Sequence, residues 1–248
     1  MPKFSIITIT YNAESTLEPT IRSVVGQDYP DIEYLIVDGA SKDGTMAIAQ
    51  RYADRIASLV SEPDKGLYDA MNKGLERATG DYVWFLNAGD TIHSADTVSH
   101  IAAQIRAGEL PDVIYGQTAL VDANRTFLGM RRLSAPERLD WRSFRRGMLV
   151  CHQAFIARRA IAEPYDLRYR FSADFDWCIR VMKQSRLLLN THLILADYLN
   201  EGVTTANRRA SLRERYDIMC RYYGTLPTIL RHLGFALRGA WAKVKGNL

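Results

Sequence analysis

From residue 4 to residue 90 the chain alternates two kinds of apolar pattern. Residues 4–10, 32–37, 56–60 and 82–86 are short, nearly continuous apolar runs. Runs of that length, rich in β-branched and aromatic residues, read as strands buried on both faces. Between them, residues 15–25, 43–52 and 67–78 repeat apolar positions at helical spacing. Leu17, Ile21, Val24 and Val25 form one stripe, and Leu67, Ala70, Met71 and Leu75 another. Ser41 or Asp43 is placed to cap the second of these helices. The alternation predicts an α/β fold whose sheet is mainly parallel, with right-handed crossovers and flanking helices.

Beyond Asp90 the periodicity is weaker. The pattern predicts a helix over 95–107, short strands over 113–115, 118–121 and 126–129, and a strand over 151–157. Residues 134–147 are polar and Arg-rich and read as a loop. A helix over 175–185 and a strand within 187–196 follow. Two further helices cover 208–223 and 226–244, with Pro227 tolerated in the first turn of the latter.

Composition sharpens this picture in two places. The net charge of +4 is unevenly spread: residues 206–248 hold nine Lys/Arg against two Asp/Glu, a net of +7 that leaves −3 for the remainder. A basic C-terminal segment on a slightly acidic body points to an anionic partner for that segment. The three cysteines, Cys151, Cys178 and Cys220, form neither a CxxC pair nor an even framework, which fits a reducing compartment. The N-terminus runs directly into a strand without a basic segment and long apolar core, so no secretory signal is expected, and no run is long enough to cross a membrane.

The chemistry gathers where strands end, since open α/β sheets bind ligands at the carboxyl ends of their strands. The first strand ends in Thr10-Tyr11-Asn12. The second ends in Asp38-Gly39-Ala40-Ser41-Lys42-Asp43. Asp38 precedes the turn and reads as an acceptor for a base N–H or a ribose hydroxyl. Asp43 reads equally as a helix cap. Lys65-Gly66 stands at a helix N-terminus, a natural phosphate site. On that helix Asp69 and Asn72 share a side, while Asp69 and Lys73 are spaced as a surface ion pair. The strand over 82–86 ends in Asn87-Ala88-Gly89-Asp90, whose final carboxylate is expected to be exposed and to offer a hard oxygen to Mg²⁺ or Mn²⁺. Ordinary turn chemistry accounts for the same tetrapeptide. No GxGxxG, GxxxxGK[ST] or GxSxG motif is present, which removes the common dinucleotide, P-loop and serine-hydrolase alternatives.

Taken together, Thr8-Ile9-Thr10-Tyr11-Asn12, Val37-Asp38-Gly39-Ala40-Ser41-Lys42-Asp43-Gly44-Thr45, Glu62-Pro63-Asp64-Lys65-Gly66 with Tyr68-Asp69-Ala70-Met71-Asn72-Lys73-Gly74, and Leu86-Asn87-Ala88-Gly89-Asp90 resemble family 2 glycosyltransferases of the GT-A fold. The resemblance covers roughly residues 3–200 and is strongest to bacterial exopolysaccharide, colanic-acid and O-antigen transferases. It implies a UDP- or GDP-linked sugar donor and a glycan or lipid-linked acceptor. It places Thr10, Tyr11, Asn12, Asp38 and Asp43 at the nucleoside, with Lys65, Gly66, Asp69, Asn72, Asn87, Ala88 and Gly89 lining the donor pocket. Asp90 would bind Mg²⁺ or Mn²⁺. The family's Asp-x-Asp pattern is altered here to Asn87-Ala88-Gly89, leaving Asp90 as the firm anionic ligand.

For the second half the resemblance aligns Asp174 with the catalytic base of inverting members, and one base on the acceptor hydroxyl suffices for direct displacement. A helix-capping role for Asp174, with Asp176 as a first-turn acid, is the plainer alternative. His152, Gln153 and Asp176 are the acceptor-side candidates. The expected organisation is a GT-A domain over 1–205, with a nucleotide-binding half at 1–90 and an acceptor half at 91–205, and a basic amphipathic tail over 206–248. Within the tail, Leu226, Leu230, Leu233, Leu237, Trp241 and Val244 make an apolar stripe beside Arg231, Arg238 and Lys245. Such a helix over 226–245 suits an anionic membrane surface, and equally packing on the body or a second subunit. Nucleic acid is not expected as a partner. The implied location is cytoplasmic, peripheral on the inner face of the plasma membrane. The rival readings are a nucleotidyltransferase, which would need a Gly-rich N-terminal loop that is absent, and a catalytically degraded module that docks glycan or a partner at the membrane.

Overall fold

A computed structural model describes residues 1–200 and 208–244, with side chains throughout except at Arg208 and 235–244. The first half follows the alternating pattern: β1 (Phe4–Thr10), α1 (Leu17–Val25), β2 (Ile32–Asp38), α2 (Thr45–Gln50), β3 (Ser58–Ser61), α3 (Leu67–Arg77) and β4 (Tyr82–Phe85). β1 and β4 are buried at every position, as their apolar runs require. β5 (Thr91–Ile92), α4 (Thr97–Gln104), β6 (Val113–Val121), β7 (Phe127–Met130), β8 (Phe155–Arg158), α5 (Ala173–Gln184), β9 (Leu188–Leu199), α6 (Arg208–Tyr223) and α7 (Thr225–Val244) complete the described residues.

The strands form one sheet in the order β3-β2-β1-β4-β8-β6-β9-β5, with β7 on the side of β6. β3, β2, β1 and β4 are parallel. β8 then runs antiparallel to both β4 and β6, and β6 is parallel to β9. The sheet is therefore parallel only in its first half. Two antiparallel steps restore the direction of β4 in β6 and β9, so the carboxyl ends of β1, β2, β4, β6 and β9 share one edge. That edge gathers the polar loops singled out by the sequence.

The differences from the pattern-based expectation lie mostly in the second half. The strands expected at 113–115 and 118–121 are one continuous strand, because both of its sides are paired and Gly116 lets β9 pass close by. A Cβ there would lie 2.6 Å from the Leu193 carbonyl oxygen. The strand expected over 151–157 begins with a 3₁₀ turn, His152–Ala154, and becomes a strand only at Phe155. Within the Arg-rich loop, Trp141–Arg146 forms a 3₁₀ turn closed by a capping box between Asp140 and Ser143. On α3 the buried positions are Tyr68, Ala70, Met71, Gly74 and Leu75, while Leu67 faces solvent.

The 205/206 boundary falls outside the described residues, but α6 does not behave as a tail. Ser211 bonds Ser172 at the start of α5, Glu214 accepts from the backbone of Arg170 and Phe171, and the Tyr222 hydroxyl donates to Asp176. Tyr223 stacks on Trp141 with ring centroids 5.6 Å apart. α6 is thus part of the body. Only α7 keeps the expected open apolar face, with Leu226, Ile229, Leu230 and Leu233 exposed. The side chains of Leu237, Arg238, Trp241 and Val244, and Lys245 altogether, lie outside the described residues.

Candidate active site

The loops that follow β1 and β2, expected to meet the nucleoside, bond to one another. Asn12 sits at φ 47°, in the left-handed region that asparagine tolerates. Its backbone N–H donates to Ser41 Oγ at 2.8 Å, and its Oδ1 accepts from the Lys42 N–H at 2.9 Å. Ser41 is tied in turn to Asp38, whose carboxylate accepts from the Ser41 N–H, the Ser41 hydroxyl and the Ser61 hydroxyl. Asp38 is fully buried, so it locks the three loops together and does not present an open carboxylate at the sheet edge. Asp43 accepts from the Thr45 hydroxyl and N–H and from the Glu14 N–H. The Thr45 hydroxyl is the main cause that holds its carboxyl below the usual range. Tyr11 stands exposed above this platform. Gly39 lies between the Tyr11 ring and the Asp64 carboxylate, and a Cβ there would have to push the Asp64 side chain aside.

At the start of α3, Lys65 and Gly66 are exposed, with Gly66 at φ 120°. Asp69 Oδ2 accepts from the Lys65 N–H at 3.0 Å and lies 3.9 Å from Lys73 Nζ. The Lys65 ammonium has no partner among the described residues and stays available to an anion beside the helix N-terminus. Asn72 does not face this opening. Its amide exchanges two hydrogen bonds with the backbone of Tyr165, at 3.1 and 2.6 Å, and so braces the 164–166 segment.

Beyond β4, the Ala88 N–H returns to the Ile9 carbonyl, and Gly89, at φ 105°, donates to Thr20 Oγ1. Thr10 Oγ1 and Asn87 Oδ1 are buried without a hydrogen-bond partner. Asp90 is not exposed, as the sequence suggested, but 5% accessible. Its Oδ1 accepts from the Leu199 N–H at 3.0 Å and its Oδ2 from Gln153 Nε2 at 2.9 Å. Burial pushes its carboxyl up to about 7 against these two donors. Among the described residues no three His, Cys, Asp or Glu side chains converge as a cation cage. A Mg²⁺ or Mn²⁺ ion arriving with a diphosphate would find here one carboxylate, Asp90, with both oxygens already accepting, and the orphaned Asn87 Oδ1, the rest of its ligands being waters and substrate oxygens.

The acceptor-side residues divide sharply. Asp174 lies in the first turn of α5 and is partly accessible. Its Oδ1 accepts from the Tyr68 hydroxyl at 3.1 Å and from the Phe175 N–H at 2.9 Å. Ser172, not Asp174, occupies the N-cap. Asp176 is fully buried, 2.7 Å from Arg180 Nε, and accepts from the Tyr222 hydroxyl at 2.8 Å. No sugar reaches it, so the acceptor role expected for it is withdrawn. His152 is buried between Phe85 and Trp177, with Nε2 2.8 Å from the Tyr165 hydroxyl. Burial lowers its pKa and keeps the ring neutral. Gln153 holds Asp90 and accepts from the Cys151 thiol. Both residues, expected on the acceptor side, are buried with their polar atoms bonded inside the protein. Tyr68 escaped the sequence reading, although 68, 71 and 75 have the spacing of one buried helix face.

A mixed sheet, parallel in its first half, flanked by helices and with polar loops gathered at its carboxyl edge, is the GT-A arrangement. The chain matches the model for "Glycosyl transferase family 2" over residues 5–165, and it belongs to that family. A PGL/p-HBAD biosynthesis glycosyltransferase of Mycobacterium bovis is 36% identical over 208 residues, covering 81% of this chain and 78% of that protein. Among solved structures, S. aureus TarS 1-349 in complex with UDP-GlcNAc superposes with a TM-score of 0.70 at 21% identity, covering 88% of this chain and 64% of that one. The mannosyltransferase PcManGT from Pyrobaculum calidifontis, in complex with GDP-Man and Mn²⁺, gives 0.63 at 17% identity, covering 96% and 75%. At those identities the two structures speak for the fold.

Proposed function

We propose that this glycosyltransferase transfers a sugar, with inversion, from a UDP- or GDP-linked donor to a glycan or lipid-linked acceptor in bacterial surface polysaccharide synthesis. The observation that carries the reading is Asp174: a partly accessible carboxylate with one oxygen held and the other open, on the acceptor side of a nucleotide-type sheet edge. Its open oxygen takes the proton of the acceptor hydroxyl as that hydroxyl attacks the anomeric carbon. A single carboxylate on that side supports one displacement and hence inversion. Lys65 and the α3 N-terminus receive phosphate oxygens of the departing diphosphate. Tyr11, Asn12 and the loops organised by Asp38 and Asp43 form the nucleoside platform. Asn87 and Asp90 would hold a divalent cation, which when bound neutralises charge on the leaving group. The UDP-GlcNAc and GDP-Man complexes of the two structural neighbours support a nucleotide-sugar donor.

A thermal-shift screen of UDP, GDP, CMP and dTDP, each with and without Mn²⁺, tests this directly. One nucleoside diphosphate is expected to raise the Tm, and more so with Mn²⁺. If none does, and purified protein neither transfers nor hydrolyses a donor sugar, the degraded binding module replaces the enzyme.

The same reading places the enzyme peripherally on the inner face of the plasma membrane through α7. Its exposed Leu226, Leu230 and Leu233 support this, as does the basic charge of the C-terminal segment. Among the described residues no helix is long and apolar enough to cross a bilayer. The full chain is expected to float with vesicles containing anionic lipid, and a chain ending at Pro227 is expected to stay behind. Equal behaviour of the two removes the membrane role.

A further inference from the structure

We propose that Tyr68 is a positioning residue for the acceptor base. Its hydroxyl pins Asp174 Oδ1, leaves Oδ2 as the atom that takes the acceptor proton, and ties that atom to the helix that receives the donor. The inference rests on the reading of Asp174 as the base.

Both donors that reach Asp174, the Tyr68 hydroxyl and the Phe175 N–H, converge on Oδ1. Oδ2 has no partner among the described residues. The terminal torsion of an aspartate is broad, so without a fixed donor its two oxygens exchange places freely. The Phe175 N–H belongs to the same helix turn and constrains the carboxylate only locally. Tyr68 comes from another element, 106 positions away in the chain, and defines the direction in space.

The phenol is itself held rigidly. Tyr68 is 6% exposed and stacks on Tyr165 at 5.6 Å. Tyr165 stacks in turn on Trp177 at 5.0 Å, and its hydroxyl meets the neutral His152 ring. Asn72, one turn along α3 from Tyr68, clamps the Tyr165 backbone from both sides. Burial, with the Asp174 charge beside it, keeps the phenol protonated and therefore donating.

The same first turn of α3 meets the donor. Lys65 and Gly66 precede it, and Asp69, next to Tyr68, accepts from the Lys65 N–H. Any displacement of this turn by a bound diphosphate is transmitted through one side chain to the base. Nucleotide and acceptor chemistry lie on separate halves of the chain, and Tyr68 is the direct hydrogen bond between the nucleotide-side helix and Asp174.

The test is Tyr68→Phe, which keeps the ring stacking and deletes the donor atom. It is expected to lower kcat about 10- to 100-fold, the scale of a misaligned catalytic group. Acceptor KM and nucleotide affinity by calorimetry should stay within about twofold of wild type, because the ring and the loops proposed to bind the donor are unchanged, while Tm falls by several degrees for the lost hydrogen bond. In an Asp174→Asn background, measured by single turnover, adding Tyr68→Phe should change the residual rate by less than about twofold, as residues acting through one another are non-additive. A Tyr68→Phe enzyme with wild-type kcat, or losses that multiply in the double variant, would overturn the assignment. Full activity in Asp174→Asn alone would instead bring down the base reading on which it rests.

Discussion

Asp174→Asn is expected to lose transfer by about 10²- to 10⁴-fold in kcat, the contribution of a positioned general base. The amide keeps the size and shape of the carboxylate, and its carbonyl oxygen still accepts from Tyr68 and the Phe175 N–H. What disappears is the basic oxygen proposed to take the acceptor proton. Nucleotide affinity is expected to be nearly unchanged, since the loops proposed to bind the nucleotide are held by Asp38, Asp43 and Asp69 on the first half of the chain. Steady-state rates and calorimetry on the same preparation separate the two quantities. A full-rate variant would remove Asp174 as base and leave it a first-turn acid favoured by the helix dipole.

The neighbouring carboxylate should behave in the opposite way. Asp176→Ala is expected to cost stability and leave the acceptor KM of the folded enzyme intact. Asp176 is wholly buried, with its two oxygens divided between Arg180 Nε and the Tyr222 hydroxyl. Removing one member of a buried pair typically costs about 3–5 kcal/mol, because the partner is left desolvated and unpaired. Arg180 retains Glu163 at 3.2 Å and the Pro164 carbonyl at 2.8 Å, so the low end, about 3 kcal/mol, is expected here. For a chain of this size that is a Tm lower by about 6–12 °C. The loss should also loosen α6, which the Tyr222 bond anchors to α5, visible as faster amide exchange in both helices. An unshifted Tm with a raised acceptor KM would restore the acceptor role that burial argues against. Two acids two residues apart thus have separable signatures, one kinetic and one thermodynamic.

The helix periodicity that places Asp174 and Asp176 in one first turn does not say which of them faces the cleft. That choice is made by α6, a distant segment whose tyrosine closes over Asp176. The same limit recurs along the site. Asp38 was legible as a strand-end carboxylate, yet its oxygens are taken by Ser41 and Ser61, the latter from a third strand. Asp90 was legible as the end of the β4 loop. Its carboxylate is held by Gln153 and the Leu199 N–H, 63 and 109 positions away. Asn72 shares a helix side with Asp69, but the Tyr165 backbone claims it.

The amino-acid pattern alone determined the parallel half of the sheet, the helices between its strands and the set of polar loops at their carboxyl ends. These follow from local period and turn chemistry, which act over a few residues. It also determined the family, because several weak motifs occur in one order at one spacing. The tertiary structure decided the rest. It joined two predicted strands into β6, brought β8 in antiparallel to place β6 and β9 at the site edge, and drew α6 from the expected tail into the body. It also selected, from many candidate polar residues, those left open and those consumed in holding the loops. The physical reason is the same throughout. A carboxylate, amide or hydroxyl has the same chemistry in any sequence, but whether it is available to a substrate depends on which distant donors reach it first and on what burial then costs.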